Sequence, residues 1–319
     1  MGRIGRLLFR RLIEDNQFEI VAINDIMPAD NLAYLLKYDS VYGTFKLPFS
    51  SEENFFTVLN HKVRVFQKAQ PEDLPWNELD IDVVIESTGI FINKSSVEKH
   101  LAAGAKRVLL ATTGSDDIKL KVFGHNQSDE IAALTMLSPG GCMTNCSVHI
   151  LYLLNSFGIN AAQINILHSY TSRQALVDAA HSQFRRGRAA AESIIPVDID
   201  LYKSLNRLLP DLKGKIHTSS TRVPVANGAM ANFYVQLKTE ITAQKINQLF
   251  QKAAENEYKG IIEYTEEQLV SLDIKGNTHS CIMDGTQTSV VGNQVRIVAW
   301  FDNEFGFTSR MIDWLRYWK

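Results

Sequence analysis

The sequence predicts a two-domain α/β protein: a doubly wound parallel sheet, then an α+β domain whose sheet is mostly antiparallel. Two observations predict it. Up to Leu137, short apolar runs alternate with segments of helical period, and several runs end in Asp, Ser, Thr or Gly, the alternation of a parallel sheet. From Ile164 on the runs lengthen and fewer helices intervene, which favours antiparallel pairing.

The elements follow in order. Ile4, Leu7, Leu8 and Leu12 recur at helical spacing through about Glu14. Phe18 to Ile23 reads as a buried strand ending at Asn24-Asp25. Asn31 to Lys37 reads as a helix, His61 to Phe66 as a strand, and Asp82 to Glu86 as a buried strand running into Ser87-Thr88-Gly89. Val97 to Ala103 is a helix, Arg107 to Ala111 a strand ending at Thr112-Thr113-Gly114, and Ala132 to Leu137 a further strand. In the second half, Ile164 to Leu167, Met230 to Leu237 and Gln294 to Trp300 read as strands, and Ala243 to Glu255 and Ser309 to Lys319 as helices.

Composition bounds the answer. The 319 residues suit two domains, each able to bury a core, and 45% hydrophobic with 21% charged residues is ordinary for a globular protein. A net charge of -2 gives no general attraction to nucleic acid or anionic membranes, and the basic loop Arg185-Arg186-Gly187-Arg188 has no wider basic field around it. No apolar run reaches membrane-spanning length and there is no signal-peptide core. Three cysteines argue against a disulfide framework and for a reducing, cytoplasmic setting. Cys142 and Cys146 alone cannot complete a zinc site, so no metal is expected.

Two stretches carry chemistry. Gly2-Arg3-Ile4-Gly5 at a helix start, with Asp25 at the end of the following strand, is the back half of a dinucleotide fingerprint. The glycines let backbone N–H groups approach a pyrophosphate, and Asp25 accepts from ribose hydroxyls, which favours NAD over NADP. The fingerprint also needs a strand before its first glycine, and none precedes Gly2. In a doubly wound sheet that strand is central, so its neighbours are expected to be left unpaired; about eight residues would supply it and a turn. The second stretch is Ser138 to His149, in which Pro139-Gly140-Gly141 separates a strand from a helix and leaves Cys142 at the helix N-terminus. The partial positive charge there is expected to lower the thiol pKa and favour the nucleophilic thiolate. Most free cysteines are buried apolar residues, so Cys142 alone does not establish catalysis.

The residues resemble phosphorylating glyceraldehyde-3-phosphate dehydrogenase over nearly the whole chain. The matching pieces are Gly2-Arg3-Ile4-Gly5-Arg6, Ile23-Asn24-Asp25, Leu35 to Ser40, Ser87-Thr88-Gly89, Cys142-x-Thr144-Asn145-Cys146, His168-Ser169-Tyr170-Thr171, Arg188 to Ala191, Ile194-Ile195-Pro196, Arg222-Val223-Pro224 and Asp302-Asn303-Glu304. The resemblance implies a Rossmann-type NAD-binding domain over 1–141, a catalytic domain over 142–304, a C-terminal helix over 305–319 returning to the first domain, and a homotetramer. It implies that Cys142 attacks the aldehyde of a small phosphorylated substrate and that His168 takes the proton. It implies that Asn303 holds the nicotinamide carboxamide, that Thr171 and Arg222 bind the substrate's phosphate, and that Gly2, Arg3, Ile4, Gly5, Asp25, Ser87, Thr88 and Gly89 hold NAD. The resemblance further implies that Asn145 and Cys146 support the active-site helix, and that Arg188 lies in the loop that in the family reaches a neighbouring subunit near the cofactor.

There are departures from the family pattern. Gly141-Cys142-Met143 stands where the family usually has Ser-Cys-Thr, so two hydroxyls for an attacking phosphate are gone. Ile199-Asp200 stands where Thr-Gly is usual, and Asp198 and Asp200 would repel phosphate if they face the site. These changes favour hydrolysis of a thioester over phosphorolysis. Ile194 to Asp198 and Asp284 to Thr288 are closer to the erythrose-4-phosphate dehydrogenase branch, which is the alternative reading. A catalytically impaired paralogue retained for binding is a further one.

Overall fold

The computed structural model describes residues 1–318, and the chain divides into two compact units. Unit 1 holds Met1–Phe123, Gln127–Gly140 and the chain from Arg310; unit 2 holds Gly124–Asn126 and Gly141–Ser309.

Unit 1 opens on helix α1 (Arg3–Leu12), which buries Leu7, Leu8, Phe9 and Leu12 on one side. Strand β1 (Ala22–Asn24), helix α2 (Ala29–Lys37) and strands β2 (Phe49–Glu52), β3 (Phe55–Val58) and β4 (His61–Phe66) follow. Then come β5 (Val83–Glu86), α3 (Lys94–Ala102), β6 (Arg107–Leu110) and β7 (Met136–Leu137). Asn93 caps α3 by accepting the Ser96 N–H at 2.9 Å, a usual way of satisfying an orphan donor of the first turn.

The parallel strands of this unit lie in two separate sheets. One has the order β1-β4-β3-β2, with β1 and β4 parallel; the other is β5-β6-β7, all parallel. The parallel pairs β1–β4 and β5-β6-β7 are the kind of ladder a doubly wound sheet is built from. Among the described residues, β1 pairs only with β4 and β5 only with β6, the unpaired neighbours expected from the half fingerprint. Side chains still meet across the divide: Ala22 and Phe66 pack against a core that includes Val84, Val108 and Leu110.

Two expected strands are shorter. The run from Phe18 forms a strand only at Ala22–Asn24, because parallel pairing with β4 begins at Ala22↔Arg64 and the other edge has no ladder. Asp129–Ala133 forms a 3-10 turn, so the strand expected over Ala132 to Leu137 shrinks to Met136–Leu137.

Unit 2 begins with α4 (Cys142–Leu154), whose Val148, Ile150, Leu151 and Leu154 are buried. Strands β8 (Ile159–Ser169) and β9 (Ile195–Val197), helix α5 (Leu201–Leu208), strands β10 (Ile216–Val223) and β11 (Ala229–Leu237) and helix α6 (Ala243–Glu255) follow. The last strands are β12 (Ile262–Thr265), β13 (Cys281–Asp284), β14 (Ser289–Val291) and β15 (Gln294–Phe301). They form one sheet in the order β12-β13-β15-β11-β8-β10-β9, with β14 against β15. Pairing is antiparallel except at β8–β10 and β12–β13. The sheet's inner face is apolar: Ile164, Ile166, Phe233, Val235, Ile297 and Ala299 are buried.

Helix α7 (Phe305–Tyr317) starts four residues before the expected Ser309, and Lys319 lies outside the described residues. Its C-terminal part belongs to unit 1. There Trp314 packs edge-on to Phe123, the Trp318 indole donates to the Ile131 carbonyl at 2.9 Å, and Arg107 donates to the Trp318 carbonyl at 2.6 Å. No described helix is long and apolar enough to cross a membrane.

Candidate active site and nucleotide site

In unit 2 the chemistry gathers at the carboxyl ends of two parallel strands. His168 lies near the end of β8 and Arg222 near the end of β10, directly paired in register. Parallel neighbours end at the same edge of a sheet, which is why these two side chains meet. Cys142 is the first residue of α4, with Gly141 as its N-cap in extended geometry and no side chain capping the turn. Its Sγ lies 3.7 Å from His168 Nε2. Asn145 pins the turn, its amide donating to the Gly141 carbonyl at 2.9 Å.

The other imidazole nitrogen, Nδ1, faces the Ser169 carbonyl at 2.8 Å. A carbonyl only accepts, so in the tautomer that makes this bond Nδ1 carries the proton and Nε2 faces the sulfur as an acceptor. The Arg222 guanidinium abuts the same Nδ1 and donates to the Ser169 carbonyl at 3.1 Å. Burial, and then the charge of Arg222, push His168 down to about 3. Burial pushes the Cys142 thiol up to about 11, against the pull of Arg222 and of the backbone N–H groups of Met143 and Cys142. The lowered thiol pKa expected from the helix terminus is thus absent at rest, because desolvation outweighs both the helix end and the guanidinium. The resting pair is a neutral thiol beside a neutral imidazole.

Around this pair lie the other expected residues of unit 2. Asn303 is buried, and its side-chain carbonyl accepts from the Gly228 N–H at 2.9 Å and the Ser169 hydroxyl at 3.2 Å. That orients the Asn303 amide group as a donor. Thr171 donates its hydroxyl to Gln174 Oε1 at 2.9 Å. Gly141 and Met143 are half-buried and bring no hydroxyl beside the sulfur. Asp200 is exposed and pairs with Lys203 at 3.0 Å, so its charge is partly offset on the protein itself. Arg188, outside this group, pairs with Asp178 at 3.0 Å.

Unit 1 holds the expected nucleotide residues. Gly2 caps α1 in extended geometry, with no acid in the first turn and no side-chain cap, the local arrangement expected of an anion-binding helix start. A Cβ on Gly2 would meet nothing within 4 Å, whereas one on Gly5 would lie 2.9 Å from the Ser87 hydroxyl. Gly5 therefore lets α1 close against the Ser87-Thr88-Gly89 turn, while Gly2 leaves open space. Arg3 pairs with Asp39 at 2.5 Å, and Ile4 is half-buried. Asp25 follows β1 and accepts from the Met1 amino group at 2.6 Å and the Met27 N–H at 2.9 Å. Burial opposes its ionisation, but these bonds more than offset that and hold its pKa below the usual value. A glycine cradle, an uncapped helix end and an ionised carboxylate at a strand end fit a dinucleotide.

Sequence reasoning missed a buried relay behind that turn. The Trp76 indole N–H donates to His100 Nδ1 at 3.1 Å, so His100 donates from Nε2 to Glu86, also at 3.1 Å. The other Glu86 oxygen accepts from the Thr88 N–H at 2.7 Å and the Thr88 hydroxyl at 2.5 Å. Trp76, His100 and Glu86 are all buried. Nothing in the spacing of these residues signals the relay, because each reads singly as core or turn.

The chain matches two family models: glyceraldehyde 3-phosphate dehydrogenase, C-terminal domain, over residues 141–303, and its NAD binding domain over residues 1–94. It is 40% identical over 319 residues to glyceraldehyde-3-phosphate dehydrogenase 1 of Bacillus cereus, covering 99% of this chain and 96% of the relative. It is 42% identical over 321 residues to glyceraldehyde-3-phosphate dehydrogenase of Borreliella burgdorferi, with 98% and 96% covered. Glyceraldehyde-3-phosphate dehydrogenase 2 of Streptomyces avermitilis is 41% identical over 316 residues, with 98% and 94% covered.

Proposed function

The chain belongs to the glyceraldehyde-3-phosphate dehydrogenase family, and from that premise we propose that it oxidises glyceraldehyde 3-phosphate with NAD through a thioester on Cys142. The observation that carries the reading is the Cys142–His168 pair, 3.7 Å apart at an uncapped helix N-terminus. Gly2, Arg3, Ile4, Gly5, Asp25, Ser87, Thr88 and Gly89 hold the cofactor, and Asn303 donates its amide to the carboxamide. Residues 1–141 with 305–319 serve the nucleotide, and residues 142–304 the substrate.

The chain's own residues then act as follows. Arg222 and Thr171 take the substrate's phosphate dianion, the guanidinium as a charge-assisted donor. The anion offsets the charge of Arg222, the smaller of the two influences that depress His168, and so raises the basicity of the imidazole. The Cys142 sulfur attacks the aldehyde carbon as its proton passes to His168 Nε2. The developing oxyanion lies against the new imidazolium N–H and the α4 N-terminus. Bound NAD supplies the acceptor for the aldehyde's hydride. The thioester left on Cys142 is resolved by phosphate or water.

A second reading, hydrolysis in the manner of an erythrose-4-phosphate dehydrogenase, is favoured by the bare flanks of the sulfur at Gly141 and Met143. NADH formation from glyceraldehyde 3-phosphate and from erythrose 4-phosphate, each with and without inorganic phosphate, tests both. A strict phosphate requirement with the triose favours phosphorolysis; phosphate-independent turnover, faster with the tetrose, favours hydrolysis. We also propose a cytoplasmic homotetramer. Leu176, Val177, Phe184 and Ile194, all strongly exposed in one loop region, support self-association there, and light scattering tests it.

A further inference from the structure

We infer that Arg173 is a specificity-determining residue: an additional guanidinium on the anionic group proposed for Thr171 and Arg222, making the site select phosphorylated aldehydes over neutral ones. The inference rests on the reading above.

Several observations converge on it. The backbone N–H of Arg173 donates to the Thr171 hydroxyl at 3.3 Å, so both residues share one turn. The Arg173 guanidinium is exposed, and among the described residues it has no ion-pair partner. Gln174, the next residue, is buried and spends its side-chain oxygen on the Thr171 N–H and hydroxyl, each at 2.9 Å. Its Nε2 is left as a buried donor with no partner, and so is Nε of the buried Arg222. Two such unmatched buried donors are costly unless a ligand accepts from them.

The local charge is also lopsided. The Ala175 N–H donates to the Arg186 carbonyl at 2.9 Å, tying Arg186 to the strand of chain that carries Arg173. Strand β9 pairs Ile195 with Arg222, fixing the end of that loop beside β10. After burial and the opposing influence of Cys142, the charges of Arg186 and Arg173 each weigh against the protonated form of Arg222. Asp198 is the acid that acts on Arg186. The three guanidinium charges oppose one another until an anion arrives, and a phosphate dianion accepts from several forks at once. A neutral aldehyde gains nothing from them.

The test compares wild type, Arg173→Gln and Arg173→Lys with glyceraldehyde 3-phosphate and with glyceraldehyde. The ratio of the two kcat/KM values is expected to fall about tenfold in Arg173→Gln, mainly through KM for the phosphorylated substrate, and to recover partly in Arg173→Lys. An unchanged ratio overturns the inference. A second readout needs neither NAD nor turnover: the change that inorganic phosphate makes in the rate of Cys142 alkylation by iodoacetamide, followed by mass spectrometry. Arg173→Gln is expected to need about tenfold more phosphate for half of that change; an equal phosphate requirement, or no phosphate effect in wild type, overturns the inference. If no aldehyde is oxidised by any form but the phosphate requirement still differs, the proposed activity falls and the anion-binding role of Arg173 stands. Thermal melting of the variants confirms that they fold.

Discussion

His168 presents Nε2 to the Cys142 sulfur at 3.7 Å while its Nδ1 faces the Ser169 carbonyl at 2.8 Å. One imidazole is thus oriented by the backbone that follows it and aimed at the helix that carries the nucleophile. Replacing His168 by Gln keeps a polar side chain but removes the base. Turnover is expected to fall by about 10² to 10⁴, with a smaller effect on KM. A loss below tenfold would show that another group takes the proton.

The same imidazole sets a pH dependence of stability. His168 titrates near 3 in the folded protein, against about 6.5 for an unfolded chain. Between those values the unfolded state binds the extra proton, so stability falls as pH drops from about 6.5 towards 3. Urea unfolding of wild type and His168→Gln across this window is expected to differ in slope by up to one proton, about 1.4 kcal/mol per pH unit. Replacing Arg222 by Gln removes one of the two depressing influences, so the His168 pKa moves up; NMR titration of the imidazole reads it.

Cys142 is held above its ordinary range, at about 11, by burial. Its alkylation by iodoacetamide in the free protein is therefore expected to keep accelerating as pH rises past 9. A plateau below pH 7 would mean a standing thiolate, which contradicts the neutral resting pair.

Gly5 tests the nucleotide cradle. A Cβ there would lie 2.9 Å from the Ser87 hydroxyl, and overpacking of this kind costs about 1 to 3 kcal/mol. That exceeds the helix-propensity gain of Ala over Gly, roughly 0.5 to 1 kcal/mol in a helix interior. Gly5→Ala is expected to lower stability and NAD affinity together, and Ser87→Ala in the same chain to restore much of both. Additive losses in the double variant would place the role of Gly5 elsewhere.

Glu86 accepts from His100 on one oxygen and from Thr88 on the other. Glu86→Ala leaves buried donors on both sides unmatched, and a loss of about 3 kcal/mol in urea unfolding is expected, with weaker NAD binding. Trp76, hydrogen-bonded to His100, gives the fluorescence that follows the relay.

Which parts were legible in the sequence follows from what each residue type signals. Cys142 at a helix start, Asp25 at a strand end and the β11 and β15 strands all announce themselves by turn residues or apolar runs. Strand β10 does not: its buried positions are Thr218, Ser220 and Arg222, so its alternation is invisible to a search for apolar residues. The strand that brings Arg222 to His168 is therefore not legible in the sequence, and both residues enter only by resemblance. The thiol's environment is not legible either, because a helix terminus is readable from glycines, whereas desolvation depends on packing from distant strands. The Phe18 run reads longer than the strand it forms because a strand lasts only as long as its partner, and pairing in this chain begins at Ala22.

Cys142 as the nucleophile of an NAD-dependent aldehyde oxidation is tested by the absorbance of NADH, with glyceraldehyde 3-phosphate, NAD and phosphate, in wild type and Cys142→Ala. Steady NADH formation is expected from wild type and none above background from Cys142→Ala, with Cys146→Ala retaining turnover. NADH formation by Cys142→Ala at a rate near wild type would contradict that role for Cys142.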